Sequence, residues 1–187
     1  MVVKSTQFRS ADAEDARGIA DLHAVRWGRH FRGAYSTSFL GDDVVADRRA
    51  VWSARLAATA GTHTTVAEQG GRLVGFIHVV VDDDVMWGTL VDNLHVAHDQ
   101  HWRSIGIRLL ARAARLVVDR AATDAMYLWV LPQNTSAQQF HRAAGATCVE
   151  TAPVAPPGGK LTRLPGTPAK LRMAWRDVST LARRFDY

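Results

Sequence analysis

The chain has 187 residues, 47% of them apolar, and a formal net charge of +5; this length suits one compact domain and would make two cramped. No apolar run reaches the ~20 residues that a membrane-spanning helix needs, and the N-terminal MVVKSTQFRS is too polar for a secretory signal. The single cysteine, Cys148, excludes an internal disulfide and a cysteine-based metal cage, so we expect a cytoplasmic protein.

The N-terminal part of the chain predicts a strand followed by two helices. Thr6–Ser10 reads as the strand, and Asp12 after it is a plausible N-cap for the first helix. The apolar stripe of that helix includes His23, which we expect to be a core-edge histidine with a partner. A second helix is predicted over 44–60, with Gly61 ending it as a C-cap.

A β-hairpin is predicted after the two helices. Two β-rich runs, 63–69 and 72–82, are joined by Gly70 and Gly71, a pair that favours a tight turn. The run Asp82-Asp83-Asp84 then predicts a solvated turn that leads into the next strand. Three adjacent carboxylates could also suggest a metal, but no further acidic residue is spaced to complete the oxygen coordination.

The stretch from Leu90 to Val117 changes its apolar period within one segment. Residues 90–96 alternate as in a strand, 98–103 form a polar loop, and the apolar residues after it recur at helical spacing. Because the N–H groups of a first helical turn lack intrahelical partners and the helix dipole is positive there, this turn is a candidate anion site. The buried face of the helix is predicted to contain Ile105, Leu109, Leu110, Ala113, Leu116 and Val117.

The last third of the chain predicts three strands and a short helix. The first strand is expected at 125–131, the helix stops at Gly145, and the other strands lie at 146–151 and 171–176. The Pro- and Gly-rich segment 152–170 is too long for a hairpin turn, which predicts a loop. The element order predicts an α/β (α+β) fold with a mixed, mostly antiparallel sheet of about seven strands and helices on both faces. We expect one domain over 1–187, with its core at about 6–177 and a tail at 178–187.

Two spaced motifs carry a family resemblance. The first, His101-Trp102-Arg103-Ser104-Ile105-Gly106, resembles the acyl-CoA-binding motif of the GNAT superfamily of N-acetyltransferases, Gln/Arg-x-x-Gly-x-Gly/Ala, with His101 and Ser104 as departures. Leu94-His95-Val96 before it and Leu109-Leu110 after it lie at that family's spacing. The second, Asn134-x-x-Ala137-x-x-Phe140-His141-x-x-x-Gly145, resembles the family's Asn-x-x-Ala-x-x-Phe/Leu-Tyr-x-x-x-Gly-Phe, so that His141 replaces a tyrosine and Ala146 an aromatic residue. The predicted element order is also that of the GNAT fold.

The aromatic-rich loop between the first two helices adds to this resemblance. His30-Phe31-Arg32-Gly33-Ala34-Tyr35 resembles the Tyr-Arg-Gly segment of many GNAT acetyltransferases, with Phe31 in place of the tyrosine. In that family the loop helps to wall the acceptor site, which makes Phe31 and Tyr35 candidate substrate contacts. Packing of these aromatic residues onto the core is the alternative.

The resemblance implies that acetyl-CoA is the acyl donor. In the family, the backbone N–H of Leu94 or Val96, on either side of His95, would bind the thioester carbonyl. Asn134 and Ala137 would lie near the pantetheine arm, although a plain N-cap role for Asn134 is a close competitor. The pyrophosphate would be held after His101 by the N–H groups of Trp102, Arg103, Ser104, Ile105 and Gly106.

Asp92 and His141 are the candidate catalytic residues. An alkyl amine with a pKa near ~10 must lose a proton before it attacks. The family's strand-borne bases lie at positions that resemble Leu90 or Asp92, and since Leu90 is apolar, Asp92 is the candidate base, on a face shared with Leu90, Leu94 and Val96. An aspartate held by a neighbouring arginine or backbone N–H is the alternative. His141 stands where the family has a tyrosine proposed to protonate the thiolate; it is a candidate acid, unless water supplies the proton or the enzyme is weak.

Other classes of function remain open beside an N-acetyltransferase acting on a primary amine of a small molecule or peptide. The rival is a catalytically weak or inactive acyl-CoA-binding sensor or scaffold. No nucleic-acid partner is expected, because the basic residues are scattered and not interleaved with stacking aromatics, and no membrane partner is expected, because no apolar run is long enough to span a membrane. His95, His98 and His101 recur every third residue, but no Cys or Glu completes a zinc site, so no metal is expected. Basic residues within 152–170 hint at an anionic acceptor or only at a solvated loop, and the resemblance allows a homodimer.

Overall fold

The computed structural model describes residues 5–30, 43–97, 102–154 and 168–185. Its strands are β1 (Thr6–Ser10), β2 (Thr62–Gln69), β3 (Arg72–Asp84), β4 (Gly88–Val96), β5 (Met126–Val130), β6 (Thr147–Pro153) and β7 (Ala169–Trp175). Its α-helices are α1 (Ala16–His30), α2 (Asp43–Ala57), α3 (Trp102–Arg120), α4 (Thr135–Ala143) and α5 (Ser179–Ala182). Short 3-10 turns precede α1 and follow α5. None of the described helices is both long and apolar enough to cross a membrane.

The described strands form one seven-stranded sheet in the order β1-β2-β3-β4-β5-β7-β6. Neighbouring strands are antiparallel except for β4 and β5, which run parallel. The predicted mixed, mostly antiparallel sheet is therefore confirmed. β7 lies between β5 and β6. The segment 152–170 was predicted to be a loop, but β6 extends into its beginning and β7 into its end.

Helices cover the sheet from two sides. On one side, which we call the α3 face, Leu109 and Val117 are fully buried in the larger core, and the apolar stripe predicted for α3 is confirmed. On the opposite side, the α1–α2 face, Ile19 of α1 and Trp52 of α2 pack around Phe76 in a second, smaller core. Each face of the sheet thus has its own apolar cluster.

A β-bulge interrupts the ladder between β3 and β4. The register is regular from Val96 to Asn93 and resumes at Val91, which leaves Asp92 as an extra residue. Because side chains alternate between the faces of a strand, one extra residue shifts the alternation by one position. Asp92 therefore lies on the α1–α2 face, whereas Leu94 and Val96 pack into the core of the α3 face. The prediction that Asp92 shares a face with Leu90, Leu94 and Val96 holds for Leu90, which pairs with Val80 on the α1–α2 face, and is wrong for Leu94 and Val96.

Two predicted helix boundaries also need correction. α2 ends at Ala57, so Gly61 is not its C-cap; the positive φ of 69° at Gly61 belongs to the turn that enters β2. α3 begins at Trp102, and the loop predicted to reach residue 103 ends earlier. The first turn of α3 consequently includes residues that the sequence assigned to the loop.

The acidic run 82–84 belongs to the end of β3, and the turn follows at 85–87. The predicted solvated turn is therefore wrong, and each of these carboxylates has a partner in the C-terminal half of the chain. Asp82 accepts from the Ala122 N–H at 3.0 Å, Asp83 from the Tyr127 hydroxyl, and Asp84 from Arg172 at 2.9 Å.

Candidate active site

A gap opens in the sheet between the parallel strands β4 and β5. The two strands pair only near their first residues, where Thr89 lies beside Met126 and Leu90 beside Tyr127. Beyond that point β4 continues to pair with β3, and β5 with β7. The strands thus separate toward their carboxyl ends, the region in which open sheets with parallel strands bind ligands.

Backbone N–H groups of β4 are directed toward this gap. The N–H of Ala97 donates to the Val74 carbonyl in β3 at 2.8 Å, and successive residues of a strand direct their N–H groups to alternate sides. The N–H groups of Val96 and Leu94 therefore point away from β3 and toward β5. The described residues of β5 do not pair with Leu94, which leaves its N–H facing the gap.

The first turn of α3 stands at the end of the gap, close behind β4. In an α-helix the first N–H groups are directed out of the helix end and not into the helical ladder. Gly106 is the fifth helical residue, so its N–H belongs to the helical ladder and not to this turn. Ile105 anchors the turn in the core with 3% exposure, and His101 lies outside the described residues. The residues of the predicted motif that supply first-turn N–H groups are Trp102, Arg103, Ser104 and Ile105.

Gly106 has a packing role that the motif alone does not indicate. A Cβ at this position would lie 3.3 Å from Cζ of Phe140 and 3.9 Å from Cγ2 of Val96. Real Cβ atoms rarely approach a neighbour as closely as the first distance. The missing side chain therefore lets α4 approach the head of α3, and the two sequence motifs meet in space.

Asn134 caps α4. Its Oδ1 accepts from the N–H of Ala137 at 3.3 Å and from the hydroxyl of Ser136 at 3.2 Å. The N-cap interpretation is thus observed, and Ala137 packs at the edge of the α3-face core. Contact of Asn134 and Ala137 with a pantetheine arm stays a prediction.

Asp92 is held from α2. Its Oδ2 accepts from Nη1 of Arg55 at 2.5 Å and from Nδ2 of Asn93 at 2.7 Å, and the Arg55 guanidinium lies 5.2 Å from the centre of the Trp52 ring. The alternative of an aspartate held by an arginine is therefore observed. Both bonds fall on Oδ2, and no described residue donates to Oδ1 of Asp92.

His141 is buried on α4, with its ring centre 5.0 Å from that of Phe140 and 6.0 Å from that of Trp175. Burial lowers the pKa of His141 to about 4, so the imidazole is neutral at pH 7. Its Nδ1 has no hydrogen-bond partner among the described residues. At neutral pH this side chain therefore does not hold the proton that an imidazolium acid would give.

A cluster of imidazoles and aromatic rings on the α1–α2 face was not predicted. The ring of His95 lies 4.8 Å from that of His23 and 5.2 Å from that of Phe76, so the side chain of His95 is directed away from the α3 face. Trp52 Nε1 donates to Nδ1 of His23 at 2.9 Å, which confirms His23 as a core histidine with a partner. Burial, with nearby arginines, lowers the pKa of His23 to about 3 and of His78 to about 4.

Aromatic rings and cations on β5 and β7 form a second cluster that the sequence analysis missed. The Arg172 guanidinium lies 4.7 Å from the ring centre of Tyr127 and 4.6 Å from that of Trp129. Lys170 Nζ lies 4.0 Å from the ring centre of Trp129. These residues are distant in sequence, and only the pairing of β5 with β7, in which Trp129 is opposite Arg172, brings them together.

The described residues contain no group of His, Cys, Asp and Glu side chains that could hold a metal ion. Candidate site residues from the sequence also lie outside the described ranges, and their structural roles stay predictions. They are the loop residues Phe31 and Tyr35 and the two histidines His98 and His101.

A sequence profile of the Acetyltransferase (GNAT) family matches residues 23–146 of the chain. This range begins within α1 and ends just before β6, so it includes both strands that border the gap and both helices that meet beside it. Among curated proteins there is no sequence match.

Solved acetyltransferase structures share the fold at low sequence identity. The PaiA N-acetyltransferase of Thermoplasma acidophilum, in complex with coenzyme A, has a TM-score of 0.71 at 15% identity, over 91% of this chain and 99% of its own. YncA of Salmonella typhimurium, with acetyl-CoA, has a TM-score of 0.64 at 19% identity, over 92% and 94%. A variant of the spermidine N-acetyltransferase SpeG of Vibrio cholerae has a TM-score of 0.62 at 15% identity, over 95% and 97%.

Proposed function

This chain belongs to the acetyltransferase (GNAT) family, and we propose that it transfers the acetyl group of acetyl-CoA to a primary amine. The observation that carries the proposal is the gap between β4 and β5, toward which the N–H of Leu94 is directed. The two relatives solved with coenzyme A and with acetyl-CoA support this choice of donor. The acceptor is an amine of a small molecule or a peptide.

The head of α3 is the proposed site for the pyrophosphate of acetyl-CoA. The N–H groups of residues 102–105 and the positive end of the helix dipole favour an anion at this position. Ile105 is buried and the turn is fixed against the core, so these donors are held in place before binding. The close approach of Phe140 at Gly106 supports the same turn from the side of α4.

The thioester carbonyl is proposed to accept a hydrogen bond from the N–H of Leu94. The amine nitrogen attacks the carbonyl carbon, the new C–N bond forms, the C–S bond breaks and coenzyme A leaves as a thiolate. Negative charge develops on the carbonyl oxygen in the transition state, where a preorganised donor has its largest effect. Loss of one such donor in other acyl transfers costs about 10²-fold or more in rate.

Asp92 is the proposed acceptor of the proton that the amine must lose. Its Oδ2 is occupied by Arg55 and Asn93, whereas Oδ1 has no donor among the described residues. That oxygen can accept from a substrate ammonium or from a water molecule between them. The Arg55 bond fixes the orientation of the carboxylate, so the structural role of this pair is compatible with the catalytic one.

The leaving thiolate is proposed to take its proton from water. With a pKa of about 4, only about one His141 side chain in a thousand is charged at pH 7. A thiol has an ordinary pKa near ~8.5, so the thiolate is a tolerable leaving group without an adjacent strong acid. His141 would then act through packing between Phe140 and Trp175.

The test of this function is amine-dependent release of free coenzyme A thiol from acetyl-CoA. Spermidine and an aminoglycoside belong in the acceptor panel, because two structural relatives are a spermidine N-acetyltransferase and an aminoglycoside 6'-acetyltransferase; simple alkylamines and amino acids complete it. Thiol release together with an acetylated amine is the expected result.

The neutral His141 favours one alternative, an acyl-CoA-binding sensor or scaffold that does not turn over. Both functions predict that acetyl-CoA raises the melting temperature of the protein. If acetyl-CoA stabilises the protein but no amine leads to thiol release, the sensor is the supported function and the enzyme is not.

A further inference from the structure

β5 borders the gap opposite β4, and β7 follows β5 in the sheet. Tyr127 of β5 pairs with Leu90 of β4, which in turn pairs with Val80 on the α1–α2 face. Paired residues of adjacent strands share a face, so Tyr127 and, two residues on, Trp129 lie on the α1–α2 face. Asp92 lies on this face as well, because it contacts α2. The side chains that β5 and β7 present on this side are therefore on the same face of the sheet as Asp92.

Arg172 holds the side chains of β5 and β7 together on this face. Its guanidinium lies 2.9 Å from Asp84 and 2.8 Å from Glu150, and its side chain is only 12% exposed. The rings of Tyr127 and Trp129 cover it. Two carboxylates already pair with its single positive charge, so Arg172 orders the surface but does not offer a free cation to a ligand.

Lys170 differs from Arg172 in this respect. It is half-buried, its ammonium lies on the ring of Trp129, and no described carboxylate is within ion-pair distance of it. Glu150 is near enough for its charge to raise the pKa of Lys170, but its carboxylate is paired with Arg172. Burial and the neighbouring Arg172 lower the pKa of Lys170. An anion at this position would compensate a cation that the fold leaves partly desolvated.

On the basis of the proposed function, we propose that the acceptor is an amine that also carries a carboxylate. The carboxylate binds the ammonium of Lys170, the carbon skeleton lies against Trp129, and the amine faces the side of the gap where Asp92 lies. Selection of the acceptor then depends on β7, whereas the acyl donor is bound by β4 and α3. A charge-assisted hydrogen bond to a partly buried lysine is strong enough to select one acceptor over its uncharged counterpart by about tenfold or more.

Matched acceptor pairs test this inference. Phenylalanine and phenethylamine, and likewise leucine and 3-methylbutylamine, differ only by the carboxylate. For the wild-type enzyme we expect kcat/KM to be about tenfold or more higher for the amino acid of each pair. Lys170→Met should remove this preference through a higher KM for the amino acids, with little change for the plain amines. Lys170→Arg should retain most of the preference.

Arg176→Met is the matched control, because Arg176 also lies over an aromatic ring, that of Trp87, but belongs to no part of the proposed subsite. It should leave the ratio within each pair unchanged. Equal use of both members by the wild type, or an equal loss for both members in Lys170→Met, would overturn the inference while amine acetylation stands. The absence of thiol release with every amine would instead remove the proposed function, and this inference with it.

Discussion

Acidification should lower the stability of this fold by an amount that can be calculated, because three of its histidines are buried and neutral. His23, His78 and His141 have pKa values of about 3, 4 and 4, below the value of ~6.5 expected in the unfolded chain. As the pH falls, the unfolded chain therefore binds protons before the folded protein does. The stability associated with the neutral imidazoles is complete above pH ~6.5 and is lost as the pH falls toward the folded pKa values.

The size of the effect follows from these differences in pKa. Each of these histidines lowers the free energy of unfolding by about 1.4 kcal/mol for every unit by which the pH falls within its window. Between pH ~6.5 and ~5 this amounts to about 2 kcal/mol for each histidine and about 6 kcal/mol for the three together. Since a domain is stable by only about 5–15 kcal/mol, we expect a large part of the free energy of unfolding to be lost by pH ~5.

Urea unfolding of the wild type and of His141→Leu, at several values between pH ~7 and ~5, measures the contribution of one group. The variant should gain about 2 kcal/mol relative to the wild type on going from pH ~7 to ~5, because it lacks one titrating imidazole. Arg142→Ala is the control on the same helix, since an arginine does not titrate in this range. An unchanged pH dependence in His141→Leu would refute the assignment of a neutral, buried imidazole.

Four further substitutions test the site and the backbone. Gly106→Val should weaken coenzyme A binding by about tenfold or more in calorimetry, because its Cβ would press on the Phe140 ring 3.3 Å away and displace the head of α3; unaltered affinity would separate this glycine from the binding site. Asp92→Asn should lower kcat by about 10²-fold with little change in coenzyme A affinity, and equal turnover would remove Asp92 as the base. Gly71→Ala should destabilise the protein by about 1 kcal/mol, because φ is 76° in the hairpin turn; Gly18→Ala, in α1 with ordinary contacts at 3.6 Å or more, should stabilise it by about 0.5–1 kcal/mol. Thermal unfolding that moves both glycine variants in the same direction would contradict the backbone argument.

Elements with a clear local period could be predicted from the sequence. The stripe of α3 and the hairpin at Gly70-Gly71, both with positive φ, follow from patterns that depend on neighbours in the chain. The position of Asp92 could not be obtained in this way. The residues around it alternate as in a regular strand, and the bulge is a property of the pairing of β4 with β3.

The candidate site likewise has one part that depends on sequence neighbours and another that depends on strand pairing. The turn at the head of α3 is contiguous in sequence, and its motif indicates it directly. The contacts of Arg55 with Asp92 and of Lys170 with Trp129 join residues far apart in the chain. Both depend on strand order and on the faces of the sheet, including the insertion of β7 between β5 and β6. No periodicity in the sequence reports that insertion, so these parts of the acceptor side required the structure.

The most direct test of the account is a titration of ¹⁵N-labelled protein, followed by the backbone amide resonances. With coenzyme A the amides of residues 102–105 should shift, and with pantetheine, which lacks the diphosphate, they should not. Acetyl-CoA should in addition shift the amide of Leu94, whose N–H is directed toward the gap between β4 and β5. Saturation by acetyl-CoA with the amides of 102–105 and Leu94 unmoved would contradict the proposed binding site.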